Sequence, residues 1–446
     1  MNQTHSNASV HEPGAGCDLQ ETFRSHRARL AASLPPRSMA IVHSNDFVSS
    51  NADATFPFTE NSDFYYLTGI RQEESTLILF PDAPDPVHRE LLFLRETNET
   101  IAVWEGARLT KEQATARSGI DKVHWNKQFD GLFRRLMIQA DQVFLNSNEH
   151  PRARPDAPDR NERFVHSCRQ QFPLHQYRRL APLLHRRRAV KSGGELELMR
   201  RACEVTGAGF RRILNFVRPG VREYEVQAEL IHEYLRLGAD GFAYPPIIAA
   251  GVNSCVLHYV SNREVCRDGD LLLLDVAAEW QGYDSDMTRT IPVNGRFTPR
   301  QRSVYEAVLR VMRAATTLLQ PGVMMSAHQK EVNRIMEGEL INLNLLDARA
   351  VADQDPDKPL FRRYFMHGVS HSIGIDTHDV QREDEPIRAG MVFTVEPGIY
   401  LPDEGFAVRL ENMVIVRPEG NIDMLEQVPV EPDEIEKLMA AAPHNL

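Results

Sequence analysis

Two stretches of this chain share one design. Arg267-Asp-Gly-Asp-Leu-Leu-Leu-Leu-Asp275 and Arg388-Ala-Gly-Met-Val-Phe-Thr-Val-Glu396 both run from an Arg-x-Gly turn through a mostly apolar segment to a carboxylate. In both, six positions separate the glycine from the acid. Short apolar runs of this kind are read as buried strands. A carboxylate ending one is costly unless something compensates it. Upstream of each run lies a helical pattern closed by Pro-Gly-Val. Met199, Ala202, Phe210, Ile213 and Val217 fall at helical spacing before Pro219–Val221, and Val304, Val308, Val311, Ala315 and Leu318 before Pro321–Val323. Two buried strands resemble each other easily by chance. The matched order of helix, Pro-Gly-Val, strand and acid makes duplication the better reading. A duplicated domain would bring its two acid-ended strands together across a pseudo-twofold axis.

More acids follow the same logic. Asp286 comes eleven residues after Asp275 in DVAAEWQGYDSD, and Gln281-Gly282 between them reads as a turn. The two acids then sit on two arms of a hairpin-like unit. Glu411 lies in AVRLENMVIV, where Val408 and Leu410 alternate as in a strand. His367 and His371 flank Gly368 in HGVSHSIGIDTHD. Four carboxylates and a histidine at strand ends can balance two divalent cations and a hydroxide. Oxygen-rich ligation with one imidazole suits Mn²⁺, with Co²⁺ and Zn²⁺ behind it. Two such ions roughly 3.5–4 Å apart clamp a tetrahedral intermediate. Spacing alone does not choose among metal hydrolases. Other chemistries lack their motifs: there is no H-E-x-x-H, no G-x-S-x-G, no Walker A sequence and no dinucleotide fingerprint.

The rest of the chain sets bounds. At 446 residues it is too long for one ordinary core. Its net charge of −11 argues against nonspecific nucleic-acid binding. No window approaches the ~18 apolar residues of a membrane span, and no membrane partner is expected. The first twenty residues lack a secretory pattern and read as a loose tail. Cys17, Cys168, Cys203, Cys255 and Cys266 are odd in number and widely spaced, which fits a reducing cytoplasm. Strands are expected at 75–80 and 90–94. The basic run Arg178, Arg179, Arg186, Arg187, Arg188 and Lys191 reads as a solvated linker face rather than a nucleic-acid patch, and a domain boundary belongs there. The expected organisation is a tail at 1–20, an N-terminal domain at 21–187 and a catalytic domain at 188–446.

Five blocks then carry a specific resemblance: NSCVLHY, LLLLDVAAEWQGYDSDMTRTIPVNGRFT, FMHGVSHSIGIDTHDV, GMVFTVEPGIY and VRLEN, in this order across 253–412. Together they resemble the aminopeptidase P family, the Xaa-Pro aminopeptidases. NSDFYYLTGI at 61–70 and VWEGARL at 103–109 are similar to that family's N-terminal domain. The resemblance implies an α+β chain: a duplicated pita-bread metallopeptidase domain behind a creatinase/prolidase-type α/β domain.

Position by position, it implies Asp275, Asp286, His371, Glu396 and Glu411 as ligands of two divalent ions. Asp286 and Glu411 would bridge, Asp275 would hold one ion, and His371 and Glu396 the other. Glu396 would also activate the bridging water and pass its proton to the leaving proline nitrogen. That nitrogen belongs to a tertiary amide and must be protonated to leave. His258 and His378 would orient and polarise the scissile carbonyl. His367, Tyr400 and Arg409 would support the ligands or line the proline site, and Trp104 would lie on a loop near the mouth, in a neighbouring subunit. Without the resemblance, His258 reads as a satisfied core histidine, Arg409 as a partner of Glu411, Tyr400 as packing and Trp104 as core.

There are departures from the family pattern. Thr377 stands where valine is common, Asn412 where an acid is common, and the segment between Glu396 and Glu411 is short. The implied substrate is a peptide with proline second, and the implied assembly a homodimer or homotetramer. Prolidase, which cleaves Xaa-Pro dipeptides, shares all five ligands and is the alternative. A non-catalytic scaffold would lose ligands, and here all five are present.

Overall fold

The computed structural model describes residues 19–153, 157–382 and 384–441. The chain forms two compact units that meet in sequence between Arg188 and Ala189. Most of the expected tail lies outside the described residues, and a helix starts at Leu19.

The first unit is built on a mixed six-stranded sheet. Its strands are β1 (Ser38–His43), β2 (Thr76–Leu79), β3 (Glu90–Leu94), β4 (Val123–Trp125), β5 (Gln142–Leu145) and β6 (Gln176–Arg179), in the order β4-β3-β2-β1-β5-β6. The second expected strand matches β3, whereas β2 is shorter than its expectation. Ser75 leaves the ladder because its N–H bonds the Ser44 side-chain Oγ, whereas Phe80 N–H still donates to Arg89 O, one step beyond the Leu79–Glu90 pair. Alternate residues Met39, Ile41, Leu91, Phe93, Val143 and Leu145 share one core with the helix Phe129–Met137.

The basic run is only partly the solvated face expected: Arg178, Arg179 and Arg186 are exposed, whereas Arg188 and Lys191 are buried. Arg188 is buried and donates to Asp63 Oδ1 at 2.7 Å. Lys191, in the second unit, is buried against Asp379 at 2.5 Å. Arg187 bonds the carbonyls of Arg29 and Leu183, and Arg179 pairs with Glu149. Charge runs in sequence do not reveal which members have an acid waiting in the fold.

In the second unit the two halves repeat in detail. The helix Gly193–Phe216 is opened by a Ser192/Glu195 capping box, and the helix Pro299–Leu318 by a Thr298/Gln301 box with proline in its first turn. After each helix comes a glycine at positive φ, Gly220 at 96° and Gly322 at 91°. Gly220 N–H donates to Cys266 O and Gly322 N–H to Ile387 O, both at 2.9 Å. In return Cys266 N–H donates to Val221 O and Ile387 N–H to Val323 O. The Arg-x-Gly turns also match, with Gly269 at φ 84° and Gly390 at 85°. A side chain there would be strained.

The strands of this unit are β7 (Gly241–Phe242), β8 (Ile247–Ala250), β9 (Leu271–Asp275), β10 (Ala278–Trp280), β11 (Tyr283–Asp284), β12 (Thr288–Pro292), β13 (Val392–Val395), β14 (Gly398–Leu401), β15 (Phe406–Arg409), β16 (Asn412–Ile415) and β17 (Ile422–Asp423). Each acid-ended strand has an antiparallel neighbour: β9 pairs with β12 and β13 with β16. Trp280 pairs with Tyr283, so Gln281-Gly282 is a two-residue hairpin turn with both residues at positive φ. The short segment between Glu396 and Glu411 is itself a hairpin, β14–β15, turned by Pro402–Gly405. No helix among the described residues is long and apolar enough to cross a membrane.

The Asp63–Arg188 pair gives the first unit a pH signature. Burial pushes the Asp63 carboxyl up, but Arg188 and His185 outweigh it and hold the group well below its usual range. A depressed acid stabilises the fold above its unfolded pKa and loses that contribution as pH falls. Arg188→Ala is expected to cost about 3–5 kcal/mol at pH 7. In urea titrations the gap from the parent protein should narrow as pH drops below about 4. A gap independent of pH would show that Arg188 acts through packing.

Candidate metal centre and active site

The carboxylates converge because both halves deliver them to one place. Asp275 ends β9, and Asp286 lies just before β12, which runs beside it. Glu396 follows β13, and Glu411 stands in the break between β15 and β16. Glu411 N–H donates to Thr288 O at 3.0 Å, which ties the second half to the strand of the first.

Asp286, His371 and Glu411 present ligand atoms all within 4.8 Å of one another. His371 Nε2 lies 3.5 Å from Asp286 Oδ2 and 3.7 Å from Glu396 Oε1. His371 Nδ1 lies 3.1 Å from Ser372 O, so it carries the hydrogen and leaves the Nε2 lone pair facing the carboxylates. Tyr244 OH is 2.7 Å from Asp275 Oδ1 and 2.6 Å from Asp286 Oδ1, one proton shared between two acids.

This set fits a cation. A lone pair facing carboxylate oxygens is repulsive until something positive stands between them. Burial raises the pKa of Asp286 well above its ordinary value, and the charges on Asp275 and Glu396 raise it further. Glu411 is pushed the same way by burial, then by Asp286 and Asp275. Oxygen ligands with one imidazole are a donor set for divalent ions.

One cation among the side chains is already there. Arg409 Nη2 donates to Asp275 Oδ2 at 2.7 Å, and its Nη1 to Tyr400 OH at 2.9 Å. The alternative reading of Arg409 as a partner of Glu411 does not hold: the chain turns out of the strand at Leu410, and Thr288 Oγ1 donates to Glu411 Oε2 instead. Tyr400 is more than packing. Its OH accepts from Arg409 and lies 2.8 Å from His367 Nε2. His367 Nδ1 faces Gly368 O at 2.7 Å, so Tyr400 is the donor to Nε2. Burial and the charge of Arg409 pull His367 down to about 4, so its imidazole is neutral at pH 7.

His378 is exposed, its ring 4.3 Å from that of His371. His258 is exposed as well, between the exposed Val256 and Val260, which overturns the core-histidine reading. Trp104 belongs to the first unit and is 85% exposed, so it is not core.

Sequence reasoning missed Tyr244, Thr288 and Arg289. Arg289 is fully buried and donates to Thr288 O, Glu411 O, Pro429 O and Asn412 Oδ1. Asn412 in turn donates to Asp423. Thr288 was within reach, since it lies two residues after Asp286. Tyr244, in AYPPII, carries no local signal.

The pattern of Metallopeptidase family M24 matches residues 197–418, and that of the aminopeptidase P N-terminal domain matches 23–144. The Xaa-Pro aminopeptidase of Escherichia coli is 34% identical over 95% of this chain and 98% of its own. The chain belongs to the aminopeptidase P family of metallopeptidases. Among solved structures, a Zn-substituted E. coli aminopeptidase P in complex with product is 32% identical, with a TM-score of 0.85 over 96% of this chain and 100% of that one. Proline aminopeptidase P II from Yersinia pestis is 33% identical, with a TM-score of 0.83 over 94% and 99%. The fold is the two-domain aminopeptidase P fold with a pita-bread catalytic unit. Membership makes the chain a metallo-aminopeptidase that uses divalent metal ions, cleaves ahead of proline and takes peptides as substrates.

Metal ligands must be deprotonated to bind. Added Mn²⁺ is therefore expected to raise the Tm of chelator-treated protein more at pH 7.5 than at pH 5.5, read by scanning calorimetry. An equal rise at both would place the stabilising ion elsewhere.

Proposed function

We propose that this protein removes the N-terminal residue preceding proline from peptides longer than a dipeptide, with two divalent ions, Mn²⁺ by preference. The observation that carries the reading is the convergence of four carboxylates and one imidazole: Asp286 and Glu411 gather at His371, Glu396 faces its Nε2, and Asp275 shares the Tyr244 hydroxyl with Asp286. Four negative groups match two divalent charges better than one. Asp286 and Glu411, both buried and at the centre, suit the bridging positions. Asp275 would serve one ion, and His371 and Glu396 the other. The ions supply Lewis acidity and a water activated at neutral pH.

The remaining work falls to the side chains. Glu396 Oε1 faces His371, and its Oε2 lies 3.9 Å from His367 Nδ1, so the carboxylate spans ligand and substrate sides. From there it takes the proton of the attacking water and returns it to the proline nitrogen. His258 and His378, exposed toward solvent, orient the scissile carbonyl. His367 and Tyr400, held by Arg409, wall the proline site. Arg409 also fixes one oxygen of Asp275, so its role is to orient a ligand.

Four of the five cysteines are described and all four are free thiols, which supports a reducing compartment such as the cytoplasm. Phe47, Phe56 and Trp104 expose large apolar area on the first unit, which supports assembly as a homodimer or homotetramer, with Trp104 offered to a neighbouring subunit.

Side-by-side assays of Xaa-Pro and Xaa-Pro-Yaa with Mn²⁺, Co²⁺ or Zn²⁺ test the reading. Cleavage of the tripeptide is expected, and cleavage of the dipeptide alone would make the enzyme a prolidase. Glu396→Ala should lower kcat by at least about 10²–10⁴-fold. Near-normal kcat with full metal would remove Glu396 from the mechanism. His258→Ala should lose activity while keeping its metal, and lost metal would make His258 a ligand.

A further inference from the structure

The loop that carries His371 and His378 is anchored from the strand that leads to Asp286. Asp284, the last residue of β11, is 4% exposed. Its N–H donates to Gly374 O at 2.8 Å, and its Oδ2 accepts from Thr377 Oγ1 at 2.7 Å. The two bonds grip the loop on either side of Ile375-Asp376. Asp379 N–H closes the loop onto Ser372 O at 2.9 Å. The Asp379 carboxylate is itself buried against Lys191. Gly374 has no room for a side chain: a Cβ there would strike the Asp379 carboxylate and the Lys191 ammonium group.

Among the described residues no Lys or Arg pairs with Asp284. The charged groups that bear on it are carboxylates, Glu279, Asp376 and Asp379, and Lys191 is taken by Asp379. The Thr377 hydroxyl is the side-chain donor that compensates a buried acid, and losing such a partner is costly. His378 is the next residue. Its ring sits over His371, centroids 4.3 Å apart and planes tilted 43°. Fixing the backbone at Thr377 fixes where that ring begins.

We propose that Thr377 and Asp284 are positioning residues whose hydrogen bond sets His378 over His371, and with it the placement of the scissile carbonyl. This rests on the role given to His378 above. The tie also joins the two halves of the catalytic unit, since Asp284 lies two residues before one ligand and Thr377 six after another.

The test compares Thr377→Val, which removes the hydroxyl at nearly constant volume, with Thr377→Ser, which keeps it. In crystal structures the His378 ring should leave its place in T377V and hold it in T377S. An unmoved ring in T377V would overturn the proposal, whatever the substrate proves to be. With Xaa-Pro-Yaa, T377V should lower kcat about 10–100-fold with KM within about twofold. Bound metal per chain should be unchanged, and T377S should restore kcat. Asp284→Ala combined with T377V should recover Tm lost by either single change, because neither partner is left alone, while kcat stays low. Recovery of kcat together with Tm would make the pair structural only and overturn the proposal. So would loss of metal in T377V. A parent enzyme that cleaves no Xaa-Pro peptide would instead overturn the functional reading, and the position of the ring would still decide this one.

Discussion

Four carboxylates held together in a protein interior are the constraint on which the rest of this structure depends. Like charges at this range and burial oppose ionisation in the same direction, which is why the Asp286 and Glu411 carboxyls are pushed up. A protein that keeps such a cluster needs positive charge in it. Arg409 supplies one, bound to Asp275, and divalent ions supply the remainder. A bound cation reverses the local pKa logic and turns mutual repulsion into ligation.

The duplicated architecture is one way to build such a cluster. Each half contributes a buried strand that ends in an acid, and each pairs that strand with a neighbour leading to or from a second acid. The equivalent glycines, at nearly equal φ and with equivalent hydrogen bonds, show how closely the halves correspond. A layer of neutral and cationic groups then aims the carboxylates. Tyr244 bridges Asp275 and Asp286, Thr288 holds Glu411, and Arg289 fixes the main chain of Thr288 and Glu411 from beneath. Such partners tune ligand basicity as well as geometry. Arg289 meets the neutral Asn412, which bonds Asp423 in turn, so the guanidinium sits one hydrogen-bonded step from the nearest acid of that chain.

Legibility in the sequence followed the range of the interactions. The repeat, the Gln281-Gly282 turn and strand β3 are local patterns, and the chain displays them directly. The acids at strand ends were conspicuous because an apolar run rarely ends in a charge without a reason. Without the family resemblance Arg409 points only to Glu411, because sequence shows near neighbours, whereas its partner Asp275 is 134 positions away. Arg188 and Lys191 were read as solvated for the same reason. Asp63 and Asp379, which neutralise them, lie 125 and 188 positions away.

By itself the sequence determined that the catalytic part is duplicated, that its buried strands end in carboxylates, and that those residues suit hard divalent ions. These are properties of composition and period along the chain, where hydrophobic spacing and turn chemistry act over a few residues. Only the tertiary structure decided which acid faces which. It directed the His371 lone pair at Asp286 and Glu396, gave Arg409 to Asp275, placed Tyr244 between two carboxylates and exposed His258. Those outcomes depend on contacts between segments a hundred or more residues apart, or on burial. Both arise when strands pair and pack, and no local pattern encodes them.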